Sequence, residues 1–300
     1  MRKTISSLFL VSLLTTLAFG HGDNSHFPKT QDITVKTTKV SGNVYMLQGR
    51  GGNVGAVVGP EGILIVDDDY KAVSQKLAAA LKELGSDKPR FVLNTHWHGD
   101  HTEGNELFGK ESTIVAHINV RKRLMDPPTI FGQKTAPYQP FALPIVTYTE
   151  SMTIHLNGEE IRLVHYPNGH TDGDTVVFFE KAGVVHLGDD FFVGRFPFVD
   201  IDSGGSVQGL INNVASLITK VPADAKLIPG HGPLSTHADL KAYHAMLVES
   251  SKIVTDAMKA GKSLEEIQKA GLPEKFKEAG SGFIKTDVWI ATIHRSYSTK

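Results

Sequence analysis

The sequence predicts an α/β (α+β) chain folded as an αββα sandwich, two sheets packed face to face with helices over their outer faces. Three observations carry that expectation. Short strand-like runs separated by turn residues open the chain from Ile33, the same grammar returns after residue 144, and amphipathic helical segments lie at the outer positions of each half. No low-complexity linker divides the halves, so residues 33–300 read as a single domain with C-terminal helices.

The elements follow in order. Ile33–Lys36, Val44–Leu47, Val54–Val58 and Ile63–Val66 alternate as strands, with turns at Ser41-Gly42-Asn43, Gly51-Gly52-Asn53 and Gly59–Gly62, as in an antiparallel meander. Tyr70–Leu84 changes to helical period, with Leu77, Leu81 and Leu84 on one face, and stops at Gly85. A buried strand at Phe91–Leu93, a polar loop, a short helix, a strand at Thr113–Ala116 and a helix to about Met125 come next. Residues 126–144, with Pro at 127, 128, 137, 140 and 144, read as a loop along an edge or rim. The second half offers strands at Ile145–Tyr148, Met152–Leu156, Glu160–Tyr166, Asp174–Phe179, Gly183–Leu187 and Lys226–Ile228. Its helices are Val207–Lys220, Asp239–Ala260 and Leu264–Ala270.

Composition narrows the function. With 40% hydrophobic and 21% charged residues, the 32.6 kDa chain is an ordinary globular one and not a disordered or collagen-like one. Lys+Arg 31 against Asp+Glu 32 leaves no basic surplus for nucleic acid, so no nucleic-acid partner is expected. The absence of Cys removes disulfides, thiolate ligands and thiol nucleophiles together. Arg2 and Lys3, the apolar stretch Leu8–Phe19 and small residues at Ala18 and Gly20 form a signal-peptide pattern cut after Gly20. The apolar run is shorter than the ~20 residues of a spanning helix, so no stable membrane anchor is expected after cleavage. The destination is then periplasmic or secreted, with residues 21–32 as an N-terminal tail. Loss of Arg2 and Lys3 takes the formal charge from −1 to −3.

The chemistry is concentrated in Thr95-His96-Trp97-His98-Gly99-Asp100-His101, directly after the strand Phe91–Leu93. Imidazole and carboxylate are the ligands zinc accepts where no thiolate is present. In an extended segment His96 and His98 point the same way, and Asp100 and His101 follow the Gly99 turn. His170, Asp189 and His231 each sit at a strand end beside glycine, in Asn168-Gly-His-Thr-Asp, Leu187-Gly-Asp-Asp and Pro229-Gly-His-Gly.

This set, His96-x-His98-x-Asp100-His101 followed by His170, Asp189 and His231, resembles the metallo-β-lactamase superfamily over roughly residues 33–235. The resemblance implies the αββα metallo-β-lactamase fold and two zinc ions per chain. His96, His98 and His170 would hold one ion and Asp100, His101 and His231 the other, with Asp189 bridging. Two cations ~3.5–4 Å apart hold a shared water and lower its pKa toward ~7, giving a hydroxide that attacks an amide or ester carbonyl. Asp100 and Asp189 would serve both as ligands and in orienting that water. The context Leu93–His98 and Glu103-Gly104-Asn105 is closer to the β-lactamases of the superfamily than to its nucleases.

The departures matter. The best-known β-lactamases carry a cysteine where Asp189 stands and a non-ligand where His101 stands, so the seven-ligand set is similar to glyoxalase II-type thioesterases and lactonases. Those lactamases often place a lysine for the substrate carboxylate where this chain has Phe192. Arg195 is the nearest basic substitute, or else the partner of Asp200 or Asp202. Weak β-lactamase activity is the expectation. Lactonase or thioesterase activity is the alternative, followed by a mononuclear iron sulfur dioxygenase using His96, His170 and Asp189.

Other features leave two readings open. Asp67-Asp68-Asp69 supplies a carboxylate behind the metal loop, or caps the helix 70–84. Gly51-Gly52-Asn53 is a flexible rim in which Asn53 reaches substrate, or a plain turn. Phe191, Phe192, Phe196 and Phe198 wall an apolar pocket, or pack the core. His155, His165, His186 and His294 read as structural, and His21 and His26 as tail residues able to bind metal adventitiously.

Overall fold

The computed structural model describes residues 33–130 and 132–298, so the signal-peptide and tail readings, with His21 and His26, lie outside the described residues. Strands β1 (Lys36–Ser41), β2 (Val44–Gln48), β3 (Val54–Val57) and β4 (Leu64–Val66) form the antiparallel meander. Helix α1 (Lys71–Glu83) crosses to β5 (Phe91–Asn94). Two single-turn helices, α2 (Gly99–Thr102) and α3 (Asn105–Phe108), lead to β6 (Thr113–His117) and α4 (Ile118–Met125). The proline-rich stretch contains a minimal hairpin, β7 (Thr129–Ile130) and β8 (Gln133–Lys134), before β9 (Val146–Tyr148). Then come β10 (Ser151–Leu156), β11 (Glu159–His165), β12 (Thr175–Phe179), β13 (Val184–His186), α5 (Val207–Lys220), β14 (Lys226–Ile228), α6 (His237–Lys259), α7 (Leu264–Ala270) and α8 (Thr286–Ser298).

These strands make a seven-stranded sheet, β1-β2-β3-β4-β5-β6-β9, and a five-stranded one, β10-β11-β12-β13-β14. Alternation assigns the faces. In β4, Leu64 and Val66 point into the interior shared with Val177, Phe179, Val184 and Ile228 of the other sheet. Ile65 points out, onto Leu77 and Leu81 of α1. In β12, Val176 and Phe178 face outward to Leu210, Val214 and Leu217 of α5, Leu240 and Leu247 of α6, and Trp289 and Ile293 of α8. Strands covered on both faces read as continuous apolar runs, which is why these were legible.

Two boundaries differ from expectation. The first strand starts at Lys36, because only its end pairs with β2; Ile33 is buried ahead of it without joining the sheet. The strand at 145–148 belongs to the first sheet, parallel to β6, because the proline-rich segment is a crossover returning the chain to that edge.

Candidate metal centre

The parallel strands β4, β5 and β6, with β13 and β14, end at one edge of the sandwich; the loops leaving β5, β13 and β14 carry six of the predicted ligands, and the loop between β11 and β12 carries His170. The structure brings all seven predicted ligands together. His96, His98, His170 and Asp189 place one donor atom each within 4.8 Å of one another, and so do Asp100, His101 and His231. Asp189 faces both groups. Its Oδ2 lies 3.3 Å from His170 Nε2 and 3.8 Å from His96 Nε2, while its Oδ1 lies 3.2 Å from His101 Nε2 and 3.5 Å from His231 Nε2. Asp100 Oδ2 completes the second group, 3.2 Å from His231 Nε2 and 3.6 Å from His101 Nε2.

Four of the five imidazoles are oriented from behind. Nδ1 of His96 meets the Thr95 hydroxyl at 3.0 Å, and Nδ1 of His170 donates to the Phe198 carbonyl at 2.7 Å. His98 Nε2 bonds to Asp200 at 3.0 Å and His101 Nδ1 to Asp67 at 2.7 Å. Such outer bonds fix which nitrogen turns its lone pair inward. Asp67 also accepts from Thr95 N at 2.7 Å and the Thr95 hydroxyl at 2.8 Å, so it braces the whole loop. Of the two readings of Asp67-Asp68-Asp69, the carboxylate behind the metal loop is the one Asp67 follows. Asp69 instead accepts from the backbone of Arg50, Gly51 and Tyr70. The sequence offered Asp200 only as a partner of Arg195 and gave no sign of its bond to His98, 102 residues away, beside the turn at Ile201–Gly204.

The inward atoms are those of a cation site. His96 Nε2 and Asp189 Oδ1 are buried with no hydrogen bond of acceptable angle, and His98 Nδ1 and His170 Nε2 face each other at 2.8 Å. Buried polar atoms are seldom left so, and converging lone pairs need a positive partner. Burial lowers His101 and His231, but Asp189 and its fellow carboxylates outweigh it, holding His101 well above the ordinary imidazole range and His231 up at about 9. Burial also pushes His170 down to about 4 and His96 well below its ordinary value. Against the effect of burial, the surrounding imidazoles hold Asp189 well below the usual carboxylate range. The donor set, all nitrogen and carboxylate oxygen, fits zinc and similar divalent ions.

Around this centre, the readings of the flanking residues separate. Phe192 stacks on His231, with centroids 5.2 Å apart and planes at 18°, and Phe198 lies 5.5 Å from His98. Phe191 and Phe196 are core residues, packed on Tyr243 and Trp289. Arg195 lays its stem against Gly282 and pairs with neither predicted carboxylate: Asp200 is held by His98 and Asp202 by Arg295. Asn53 is not offered to substrate; it is 4% exposed and spends its amide on the Pro229 and Gly232 carbonyls. Gly51-Gly52 is pinned, not flexible, with Gly52 N donating to Asp100 O at 3.0 Å. A Cβ on Gly52 would sit 2.1 Å from His101 Cε1, so only glycine fits there. Among the described residues, neither metal-binding group includes His155, His165, His186 or His294.

Known proteins are similar to this chain. A probable metallo-hydrolase of Methanocaldococcus jannaschii is 26% identical over 200 residues, covering 62% of this chain and 90% of its own length. A hydroxyacylglutathione hydrolase of Chelativorans sp. is 30% identical over 118 residues, 39% of this chain and 40% of that one. The solved DIM-1 metallo-beta-lactamase superposes with a TM-score of 0.59 at 16% identity, over 73% of this chain and all of its own, a likeness of fold. The sequence profile of the metallo-beta-lactamase superfamily matches residues 38–231, which span both sheets and every one of the seven converging ligands. The chain belongs to that superfamily of metallohydrolases.

Proposed function

We propose that the chain is an exported dinuclear zinc hydrolase that opens an amide or ester bond in a small molecule, with weak activity toward β-lactams. The observation that carries the dinuclear reading is Asp189, whose two oxygens face one ligand group each. When bound, two such ions supply Lewis acidity and a water nucleophile at neutral pH. The chain does the rest. Thr95, Asp200, Asp67 and the Phe198 carbonyl hold four imidazoles in the ligating tautomer. Asp100 and Asp189, beside His101, would hold the ions and would also accept a hydrogen bond from a water there. Phe192 and Phe198 form an apolar wall where a lysine would have anchored a carboxylate, which favours uncharged acyl groups over β-lactam acids.

A thioesterase or lactonase reading is favoured by the carboxylate at 189, the histidine at 101 and the kinship with a hydroxyacylglutathione hydrolase. Export rests on the N-terminal pattern alone. No helix among the described residues is long and apolar enough to cross a membrane.

Metal analysis of the purified chain, paired with nitrocefin, lactone and thioester assays, tests this. The expected result is two zinc ions per chain and activity lost to a chelator and restored by zinc, with lactone or thioester turned over faster than nitrocefin. A single tightly held iron with no zinc dependence would overturn the hydrolase reading.

A further inference from the structure

We infer that Asn53 is a positioning residue that sets the place of His231, and through it the affinity of the Asp100–His101–His231 group for its ion. The inference rests on the dinuclear reading above. His231 is the exception among the five imidazoles: its outward Nδ1 has no hydrogen-bond partner among the described residues. It is also the least enclosed, its side chain 21% exposed against 7% or less for the other four. With no bond behind the ring, its position depends on the stacked Phe192 ring and on the backbone that carries it.

That backbone is held on one side by Gly188, Phe191 and Val193, through Gly230 N and His231 O, and on the other by Gln48 and above all by Asn53, which makes three of the bonds. Asn53 N donates to Gly230 O at 2.8 Å, and its side-chain amide donates to Pro229 O at 2.8 Å and Gly232 O at 2.9 Å. The three carbonyls bracket His231. Asn53 is itself fixed: the Gln48 amide donates to its Oδ1 at 3.1 Å, and its carbonyl accepts from His186 Nε2 at 2.9 Å. One residue before it, Gly52 N is bonded to Asp100 O. The segment 48–53 therefore spans the open edge of the sandwich, with the Asp100–His101 loop on one side and the His231 loop on the other. Asn53 does for His231, through the main chain, what Asp67 does for His101 through the ring.

Outer contacts of this kind change metal affinity by ~10–100-fold, and the same range is expected here. Asn53→Asp keeps the volume but turns a donor into a carboxylate facing two carbonyl oxygens. In a zinc titration against a chromogenic chelator, this variant should bind one ion as the parent does and the other at least ~10-fold more weakly. Cobalt absorption should show that the weakened ion is the one His231→Ala also loses, with the circular dichroism of the metal-free chain unchanged. Asn53→Ser, which keeps one donor, should fall between the two, and it carries the test if the aspartate variant does not fold. Parental affinity for both ions in a folded variant, or equal weakening of both, would overturn the role of Asn53. A parent chain that binds only one ion would instead overturn the dinuclear reading, and this inference with it.

Discussion

Replacing Asp67 by Asn perturbs the outer bond to His101 together with the brace on Thr95 while keeping the side chain's size. The left-handed backbone at Asp67, φ 62°, is one that Asn adopts more readily than other side chains, so the turn itself should survive. The geometry leaves the amide no good orientation. Oδ1 accepts from Thr95 N, and Oδ2 accepts from the Thr95 hydroxyl and from His101 Nδ1, all within 2.8 Å and fully buried. An NH2 group turned toward Thr95 N opposes that backbone donor. Turned toward His101, it forces the ring to accept at Nδ1 and carry its proton on Nε2, the atom that faces Asp189. A hydrogen bond to a charged group contributes roughly 1.5–3 kcal/mol, so one ion should bind about 10–100-fold more weakly. Zinc competition against a chromogenic chelator reads the affinity, and long-range proton–nitrogen spectra read the His101 tautomer. Parental affinity for both ions, with the His101 tautomer unchanged, would refute the reasoning.

Two further outcomes follow from the buried groups. Asp189→Asn should cut zinc binding and turnover by at least about tenfold, whereas Asp190→Asn should leave both within about threefold, which activity and zinc titration would check. Burial holds Asp190 up at about 8, so it is already a neutral acid at pH 7 and an amide resembles it; a larger loss at 190 would mean that the ligand is the other aspartate. The stacked pair His117 and His165, 3.7 Å apart, makes the fold acid-sensitive away from the metals. Neutral His117 accepts from Asn119 N as the cap of α4, and burial, then the proximity of His165, lowers it to about 4. Its contribution is therefore complete above the unfolded value near 6.5 and is lost as pH falls toward 4. After allowance for solvent screening, that is roughly 1–2 kcal/mol. Urea unfolding of metal-free protein at pH 7.5 and 4.5 should show a smaller acid loss in His117→Asn than in the parent; equal losses would exclude this pair as the cause.

The ligands were legible because metal chemistry restricts residue type and the strand ends restrict position. His96, His98, Asp100 and His101 are close in sequence, and glycine marks the turns at His170, Asp189 and His231. The residues that orient them were not legible in the same way. Asp200 serves His98 across 102 positions, and the Phe198 carbonyl serves His170 through the main chain, so neither leaves a pattern of side chains to read. Asn53 looked available because it follows two glycines, and only the pairing of β2 with β3 beside the His231 loop shows that its amide is consumed. For the fold, apolar runs located the strands, but the sheet to which β9 belongs depends on a crossover through residues without helical or strand period.

Every ligand-bearing loop leaves the sandwich at one edge, and the opposite edge has a different use. There the turns at Gly42–Asn43, Asn157–Gly158 and Lys181–Ala182 meet around a shallow depression, remote in topology from the imidazoles. Gly158 and Gly183 stand at turn tips with nothing within 4 Å of where a side chain would begin. Closing a longer loop costs only about 0.6 kcal/mol for each doubling of its length, so this rim tolerates added chain better than any segment near His231. A tether, a fused domain or new chain ends introduced at 158 or 183 would leave the ligand edge facing solvent, so the molecule could be immobilised by its back without its chemistry being touched.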